Sequence, residues 1–153
     1  MNDCPVMWSA PTEMTTGADG QYLQIGQVAE QTELSIKSIR YYDEVGLVAP
    51  SARSAGGFRL YTEVDVARLL VIRRMKPLGF TLAEMKQLLE AFEVLDDDTA
   101  TARQRDQATA FLRRCRDKTR ESAGRLRRQL AYAEEFTDLL TTRSTASAGY
   151  VDS

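Results

Sequence analysis

The sequence predicts a mainly α protein, in which a small helical domain precedes one long C-terminal helix. Three observations predict this fold class. Apolar residues recur at intervals of three and four from Tyr22 onwards, which is the spacing of amphipathic helices. A short stretch around Gly56 and Gly57 has the residue preferences of a β-hairpin instead. Residues 101–141 contain no proline and fit one long helix.

The composition is typical of a folded protein in a reducing compartment. Hydrophobic residues make up 43% of the 153 residues, which is enough for a core. The two cysteines, Cys4 and Cys115, have no spacing that suggests a metal motif or a disulfide framework. Residues 1–20 mix proline, glycine, threonine and aspartate without periodicity, so they are predicted to form a flexible leader. They also lack the basic and apolar regions of an export signal. With no apolar run near the roughly 18 residues of a membrane span, we expect a cytoplasmic protein without a membrane partner.

Two short helices, joined by a few residues, are predicted within residues 26–45. Val28 lies on the apolar face of the first helix, and Ser35 is a favourable N-terminal cap for the second. Gly46 ends the second helix, because glycine tolerates the left-handed backbone of a helix stop. This size and spacing are those of a helix-turn-helix.

The second helix has two chemically different faces. Its apolar face, expected to pack against the domain, carries Ile36, Ile39 and Tyr42. The other face carries Lys37, Arg40 and Tyr41. Lysine and arginine on one helix face can reach base edges in the major groove, and the tyrosine hydroxyl can donate to a phosphate.

Residues 51–61 predict a hairpin beside these helices. Gly56 and Gly57 form the turn, and the flanking residues favour strands. Arg53, Arg59 and Tyr61 flank the turn, where they would suit a wing that grips the DNA backbone.

Two more helices complete the predicted winged helix-turn-helix domain at 21–93. Thr62 with Asp65 and Thr81 with Glu84 have the spacing of capping boxes, although Asp is unusual at its position. An acidic loop is predicted to follow at residues 94–100.

The long helix at 101–141 should extend for about 60 Å, which is more than a small domain can cover. Its heptad positions are apolar at both ends and small or polar in the middle, as in an imperfect coiled coil. We therefore predict a homodimer in which two copies of this helix pair. Residues 142–153 are predicted to form a flexible tail.

The charge distribution favours a nucleic-acid partner over catalysis. The net charge is only −2, but residues 21–80 carry eight lysines and arginines against six acids. The chain has no histidine, so neither a Ser-His-Asp nor a Cys-His site can form. We expect no enzyme activity, no cofactor and no metal.

Two stretches carry a family resemblance: "IGQVAEQTELSIKSIRYYDEVGLVAPSARSAGGFRLYTEVDVARL" and "LGFTLAEMKQLL". They contain the helix, turn, wing and following helices in order and without gaps. Residues 23–91 thereby resemble the DNA-binding domain of the MerR family of bacterial transcription regulators. The long helix is similar to the antiparallel dimerisation helix of that family.

The resemblance implies a homodimer that binds palindromic, double-stranded promoter DNA. Such regulators bend and untwist the DNA between promoter elements whose spacer is too long, which restores their register for RNA polymerase. By position, the recognition helix would contribute Lys37, Arg40 and Tyr41. The wing would contribute Arg53, Phe58, Arg59 and Tyr61.

The chain departs from the family pattern at several positions. Phe58 stands where the family commonly has tyrosine, so we expect no hydroxyl contact to a phosphate there. Pro77 removes a backbone donor and should alter the junction to the dimerisation helix. No cysteine follows the long helix, so a metal site of the family type is not expected. Response to a small-molecule effector and constitutive binding both stay open.

Cys115 has two interpretations. The first is a small apolar residue in the dimer seam, and the second is a sensing thiol activated by neighbouring arginines. Antiparallel pairing centred near residue 121 places Cys115 opposite residue 127, so we predict no disulfide between the two copies of Cys115.

Two other functions fit the same sequence. An architectural or excisionase-like protein would use the winged domain to bend DNA without regulating a promoter. A coiled-coil adaptor would bind only other proteins, and its basic helix face would be incidental.

Overall fold

A computed structural model of the chain describes residues 21–149. The predicted leader at 1–20, with Cys4, lies outside the described residues, as does the end of the predicted tail. Within the described range the chain is mainly α, which confirms the predicted fold class. It forms two compact units that meet in sequence between Lys86 and Gln87.

The first unit contains the short elements. Its strands are β1 (Leu23–Gln24), β2 (Ala52–Arg53) and β3 (Arg59–Tyr61). Its helices are α1 (Ile25–Thr32), α2 (Ile36–Glu44), α3 (Glu63–Met75) and the first part of α4 (Leu82–Asp96). A single 3₁₀ turn spans Lys76–Leu78.

The core of the first unit forms where α1 packs against α2 and α3. The side chains of Val28, Ile39, Leu69 and Ile72 are completely buried there. Burial of each such side chain stabilises the fold by roughly 1.5–3 kcal/mol. The apolar spacing seen in the sequence therefore corresponds to one continuous core.

The three strands form one antiparallel sheet in the order β1-β3-β2. Leu23 lies opposite Tyr61 in the β1–β3 pair, and Arg53 lies opposite Arg59 in the β2–β3 pair. The hairpin was predicted, but β1 was not. Two residues are too few to show the alternation that identifies a strand.

Helix ends follow the predicted caps. The Ser35 hydroxyl accepts a hydrogen bond from the backbone of Ser38, and Thr62 and Asp65 form a reciprocal capping box. Asp65 also accepts a 2.5 Å hydrogen bond from the Ser51 hydroxyl. The carboxylate thus ties the start of α3 to the chain just before β2. Pro77 lies in the 3₁₀ turn that follows α3.

The second unit contains the end of α4 and the long helix α5 (Ala102–Ala148). Because α4 continues to Asp96, the acidic loop is shorter than the predicted 94–100. Thr101 caps α5 in a reciprocal box with Gln104. Arg105 donates to the carbonyl oxygens of Leu95 and Asp97, which fixes the loop against α5.

Helix α5 does not end at residue 141 as predicted, but continues through residues 142–148. Thr141 and Thr145 each bond the carbonyl oxygen four residues earlier, so their hydroxyls are satisfied inside the helix. The predicted flexible tail is therefore wrong for these residues. Among residues 21–149, no helix is both long enough and apolar enough to cross a membrane.

Candidate nucleic-acid interface

Helix α2 is anchored by one face and presents the other. Ile39 and Tyr42 are buried, as their spacing predicts. Ile36 was expected on the same packed face, but the structure leaves it exposed in the first turn of α2. Burial raises the pKa of the Tyr42 hydroxyl. This tyrosine is a core residue, in contrast to its exposed neighbour Tyr41.

The exposed face of α2 brings three predicted site residues together. Lys37, Arg40 and Tyr41 all project from it and span an arc of roughly 100° at 3.6 residues per turn. The side chains of Lys37 and Arg40 have no hydrogen bond or ion pair within residues 21–149. Their charged groups are therefore available to an external partner.

The wing is a hairpin with a tight turn between β2 and β3. The backbone N–H of Ser54 donates to Phe58, and that of Gly57 donates to Ser54. Gly57 has a φ of 80°, a left-handed conformation that favours glycine. The turn leaves the Phe58 side chain 71% exposed. A large apolar ring thus stands at the end of the wing.

One carboxylate joins the wing to the recognition helix. Asp43, on α2, accepts a 2.7 Å hydrogen bond from Arg59 Nε and forms a 3.5 Å ion pair with Arg53 Nη2. Its hydrogen bond is the main cause of the raised pKa of Arg59. Arg53 also donates to the carbonyl oxygen of Gly57. Both predicted wing arginines are therefore held close to α2.

Arg40 and Arg59 line a shared recess between the start of α1, helix α2 and the wing. Gly26 and Phe58 also line it. A phosphate group that entered this recess would meet guanidinium groups from both α2 and the wing. The structure thus brings Arg40 and the wing together, although they are distant in sequence.

Tyr61 does not lie with the other predicted residues. Its side chain is completely buried, and its hydroxyl has no hydrogen-bond partner among residues 21–149. Burial raises the pKa of this hydroxyl. Tyr61 and Arg59 lie on the same face of β3. The strand runs from the exposed rim, at Arg59, into the core, at Tyr61. The predicted DNA contact of Tyr61 is therefore not supported.

Two contacts of this site were missed by sequence reasoning. The sequence shows Asp43 as an acid on a basic helix, but its partners are in a hairpin that only folding brings near. Arg73 of α3 likewise donates to the Thr32 carbonyl oxygen at the end of α1. Neither contact follows a sequence spacing that could predict it.

Metal-ligand groups do not accompany this interface. Within the described part of the chain, no three His, Cys, Asp or Glu side chains are grouped so that they could hold a metal ion. Cys115 is buried on α5.

Comparison with known protein families gives two matches. Residues 23–91 match the family described as MerR HTH family regulatory protein. Residues 66–133 match the family described as MerR, DNA binding.

Characterised relatives include two bacterial regulators. The HTH-type transcriptional regulator HmrR of Rhizobium leguminosarum bv. viciae is 39% identical over 110 residues, which cover 72% of this chain and 82% of HmrR. The HTH-type transcriptional regulator CueR of Vibrio cholerae is 41% identical over 85 residues, which cover 56% of this chain and 61% of CueR.

Solved structures show the same fold. A MerR-family transcriptional regulator from Bacillus cereus matches with a TM-score of 0.52 and 26% identity, over 80% of this chain and 82% of that one. HiNmlR, a MerR family regulator lacking the sensor domain and bound to promoter DNA, matches in fold with a TM-score of 0.60 and 22% identity, over 84% and 94%. The chain therefore belongs to the MerR family of DNA-binding transcription regulators.

Proposed function

We propose that this chain forms a homodimer that reads promoter DNA with α2, grips the DNA backbone with the wing and distorts the DNA between promoter elements. RNA polymerase at the same promoter is the proposed functional partner. The observation that carries this proposal is the exposed face of Lys37, Arg40 and Tyr41 next to the wing. Such a regulator would work in the cytoplasm, the compartment that the sequence predicts.

Base reading is assigned to α2. Lys37 and Arg40 are exposed and have no partner within residues 21–149. Arginine can bind the O6 and N7 atoms of guanine with two hydrogen bonds. The exposed Tyr41 hydroxyl would donate to a phosphate at the edge of the groove.

Backbone contacts are assigned to the wing. Arg59 and Arg53 carry the positive charge, and Phe58 offers an apolar surface to the deoxyribose rings. Phosphate contacts of this kind position a protein on DNA and make its affinity depend on salt.

Dimer formation is assigned to α5. Large apolar side chains are exposed along its second half: Leu126, Leu130, Tyr132, Phe136, Leu139 and Leu140. An apolar stripe of this length on a polar helix favours a protein partner. In the predicted antiparallel pair, the second half of one α5 would pack against the first half of α5 in a second copy, and two-fold symmetry would give a palindromic DNA site.

The effector of this regulator is proposed only by class. A shallow groove between the end of α4 and the start of α5 is lined by Glu90, Ala91 and Phe111, among others. This combination of an acidic side chain with apolar side chains would suit a small organic molecule. Relatives of the chain are named as transcription regulators, and we propose no catalytic role.

Two experiments test the proposal. Selection from a random pool of duplex DNA by the 153-residue chain should recover one palindromic sequence. In vitro transcription from a promoter that carries this sequence should depend on the spacer length between the promoter elements. Recovery of no preferred sequence would contradict sequence reading. If the amount of transcript depends neither on the protein nor on the spacer length, the architectural alternative would be favoured.

A further inference from the structure

We infer that Asp43 is a positioning residue for DNA binding, because it fixes Arg53 and Arg59 of the wing against the recognition helix and so restricts tight binding to DNA that fits both elements at once. This inference rests on the proposed function.

The two arginines need a common partner. Arg53 and Arg59 lie directly opposite each other in the β2–β3 pair. Like charges in this position destabilise a hairpin. The Asp43 carboxylate contacts both, at 3.5 Å from Arg53 and 2.7 Å from Arg59. The ion-pair cluster thus keeps one net positive charge while both guanidinium groups are held in place.

The geometry leaves part of Arg59 available for DNA. Asp43 accepts from the Nε atom of Arg59. Within residues 21–149, the hydrogen bond of the Arg59 guanidinium comes from Nε, and neither Nη atom donates one. This end of the guanidinium can bind a phosphate while Asp43 fixes the other edge.

The pair is partly shielded from solvent, more than a fully exposed surface ion pair. The side chain of Asp43 is 15% exposed and that of Arg59 is 23% exposed. Salt screens such a pair less than it screens a pair in open water. The wing should therefore keep its orientation at the salt concentrations where DNA binding is measured.

Removal of the Asp43 charge should have two effects on DNA binding. Free wing arginines would bind any phosphate more readily, which raises the affinity for unrelated DNA. The loss of a fixed orientation would remove a charge-assisted contact in the specific complex. Both effects lower the ratio of specific to non-specific affinity.

The experiment compares Asp43→Asn with Glu44→Gln in the 153-residue chain. Glu44 is the next residue of α2, is exposed and has no ion pair within residues 21–149, so its substitution changes the net charge equally. The probes are a duplex selected by the parent protein and a scrambled duplex of equal length, each titrated across salt concentrations. We expect Asp43→Asn to lower the affinity ratio about tenfold relative to Glu44→Gln. It should also steepen the salt dependence on the scrambled duplex.

Two further variants separate positioning from general stability. Asp43→Glu keeps the charge and should retain most of the affinity ratio. In an Arg59→Gln background, Asp43→Asn should have little additional effect, because the main contact is already lost. If Asp43→Asn does not fold, Arg59→Lys replaces it. Lysine keeps the charge but cannot offer one edge to Asp43 and another to a phosphate, so the ratio should again fall.

The outcomes are distinguishable. Equal affinity ratios for Asp43→Asn and Glu44→Gln, or an Arg59→Lys variant that behaves as the parent, would overturn the positioning role alone. A parent protein that selects no preferred duplex would overturn the proposed function, and this inference with it.

Discussion

Arg73 of α3 donates a 2.8 Å hydrogen bond from Nη1 to the carbonyl oxygen of Thr32, the last residue of α1. The same guanidinium lies 3.3 Å from the carboxylate of Glu33, which has a left-handed φ of 56°. A cation at the carboxyl end of a helix stabilises its exposed carbonyl groups. The turn between α1 and α2 is thus held by a third helix.

Arg40→Ala should weaken binding to the selected duplex by about 1–3 kcal/mol, because it removes a side chain that can bind guanine with two hydrogen bonds. Repeating the selection with the variant should show relaxed preference at one base position in each half-site. Arg74→Ala is the control, since Arg74 is also exposed but lies on α3. An unchanged preference in the Arg40 variant would contradict base reading by this residue.

Phe58→Tyr should strengthen binding to both selected and scrambled duplexes by about 1 kcal/mol. The ring is 71% exposed at the wing turn, so an added hydroxyl can reach a phosphate without disturbing the core. Gel-shift titration measures the affinity, and urea denaturation should show unchanged stability. Phe58→Leu, which adds no donor, should not gain affinity.

Tyr61→Phe should increase the free energy of unfolding by about 1 kcal/mol and leave DNA affinity unchanged. The variant removes a buried hydroxyl that has no partner among residues 21–149. Urea denaturation at one fixed protein concentration measures the change. A clear loss of DNA affinity would instead indicate that the Tyr61 hydroxyl takes part in DNA binding.

Tyr61→Phe should also change how the free energy of unfolding depends on pH in the alkaline range. Burial raises the pKa of Tyr61 from its ordinary value of 10.0, so the unfolded chain loses this proton at a lower pH than the folded chain. The free energy of unfolding therefore falls as the pH rises above the ordinary value. Tyr61→Phe should show a shallower fall, and the remainder should include Tyr42, whose pKa burial also raises.

Phe136→Lys should weaken the dimer by more than about a hundredfold. Each of two copies would lose the burial of a large apolar side chain, at roughly 1.5–3 kcal/mol per side chain. Analytical ultracentrifugation over a concentration series measures the dissociation constant. Glu135→Lys is the control, since it places a lysine beside the apolar stripe. If the dimer dissociation constant of Phe136→Lys equals that of the control, the assignment of Phe136 to the dimer interface is wrong.

Cys115 should form no disulfide with its copy under mild oxidation. It is buried on α5, and antiparallel pairing centred near residue 121 places the two thiols apart. Non-reducing electrophoresis should show only monomers. An oxidised dimer that Cys115→Ser abolishes would contradict the register and revive the sensing interpretation.

The sequence was sufficient wherever a local pattern decides the structure. Ser35 caps α2, and Thr62 and Asp65 form the expected capping box, because both signals depend on residues three positions apart. The separate faces of α2 followed from the helical period, which buries Ile39 and exposes Arg40. These patterns were enough to predict the two helices and the exposure of Arg40.

Contacts between distant segments could not be predicted in this way. Asp43 and Arg59 are sixteen positions apart and meet only after the hairpin has formed. Tyr61 is buried where β3 pairs with β1, a strand too short to recognise in the sequence. The sequence therefore predicted the elements of this domain better than it predicted the contacts that join them.

The central place of β3 in the sheet has a consequence for hydrogen exchange. Tyr61 anchors this strand in the core, while Arg59 reaches the interface from the same strand. Opening of the wing would break the pairing of β3 with β1 as well as with β2. The amides of β3 should therefore exchange with solvent as slowly as those of α1 and α3, and the wing and core should lose their structure as one cooperative unit.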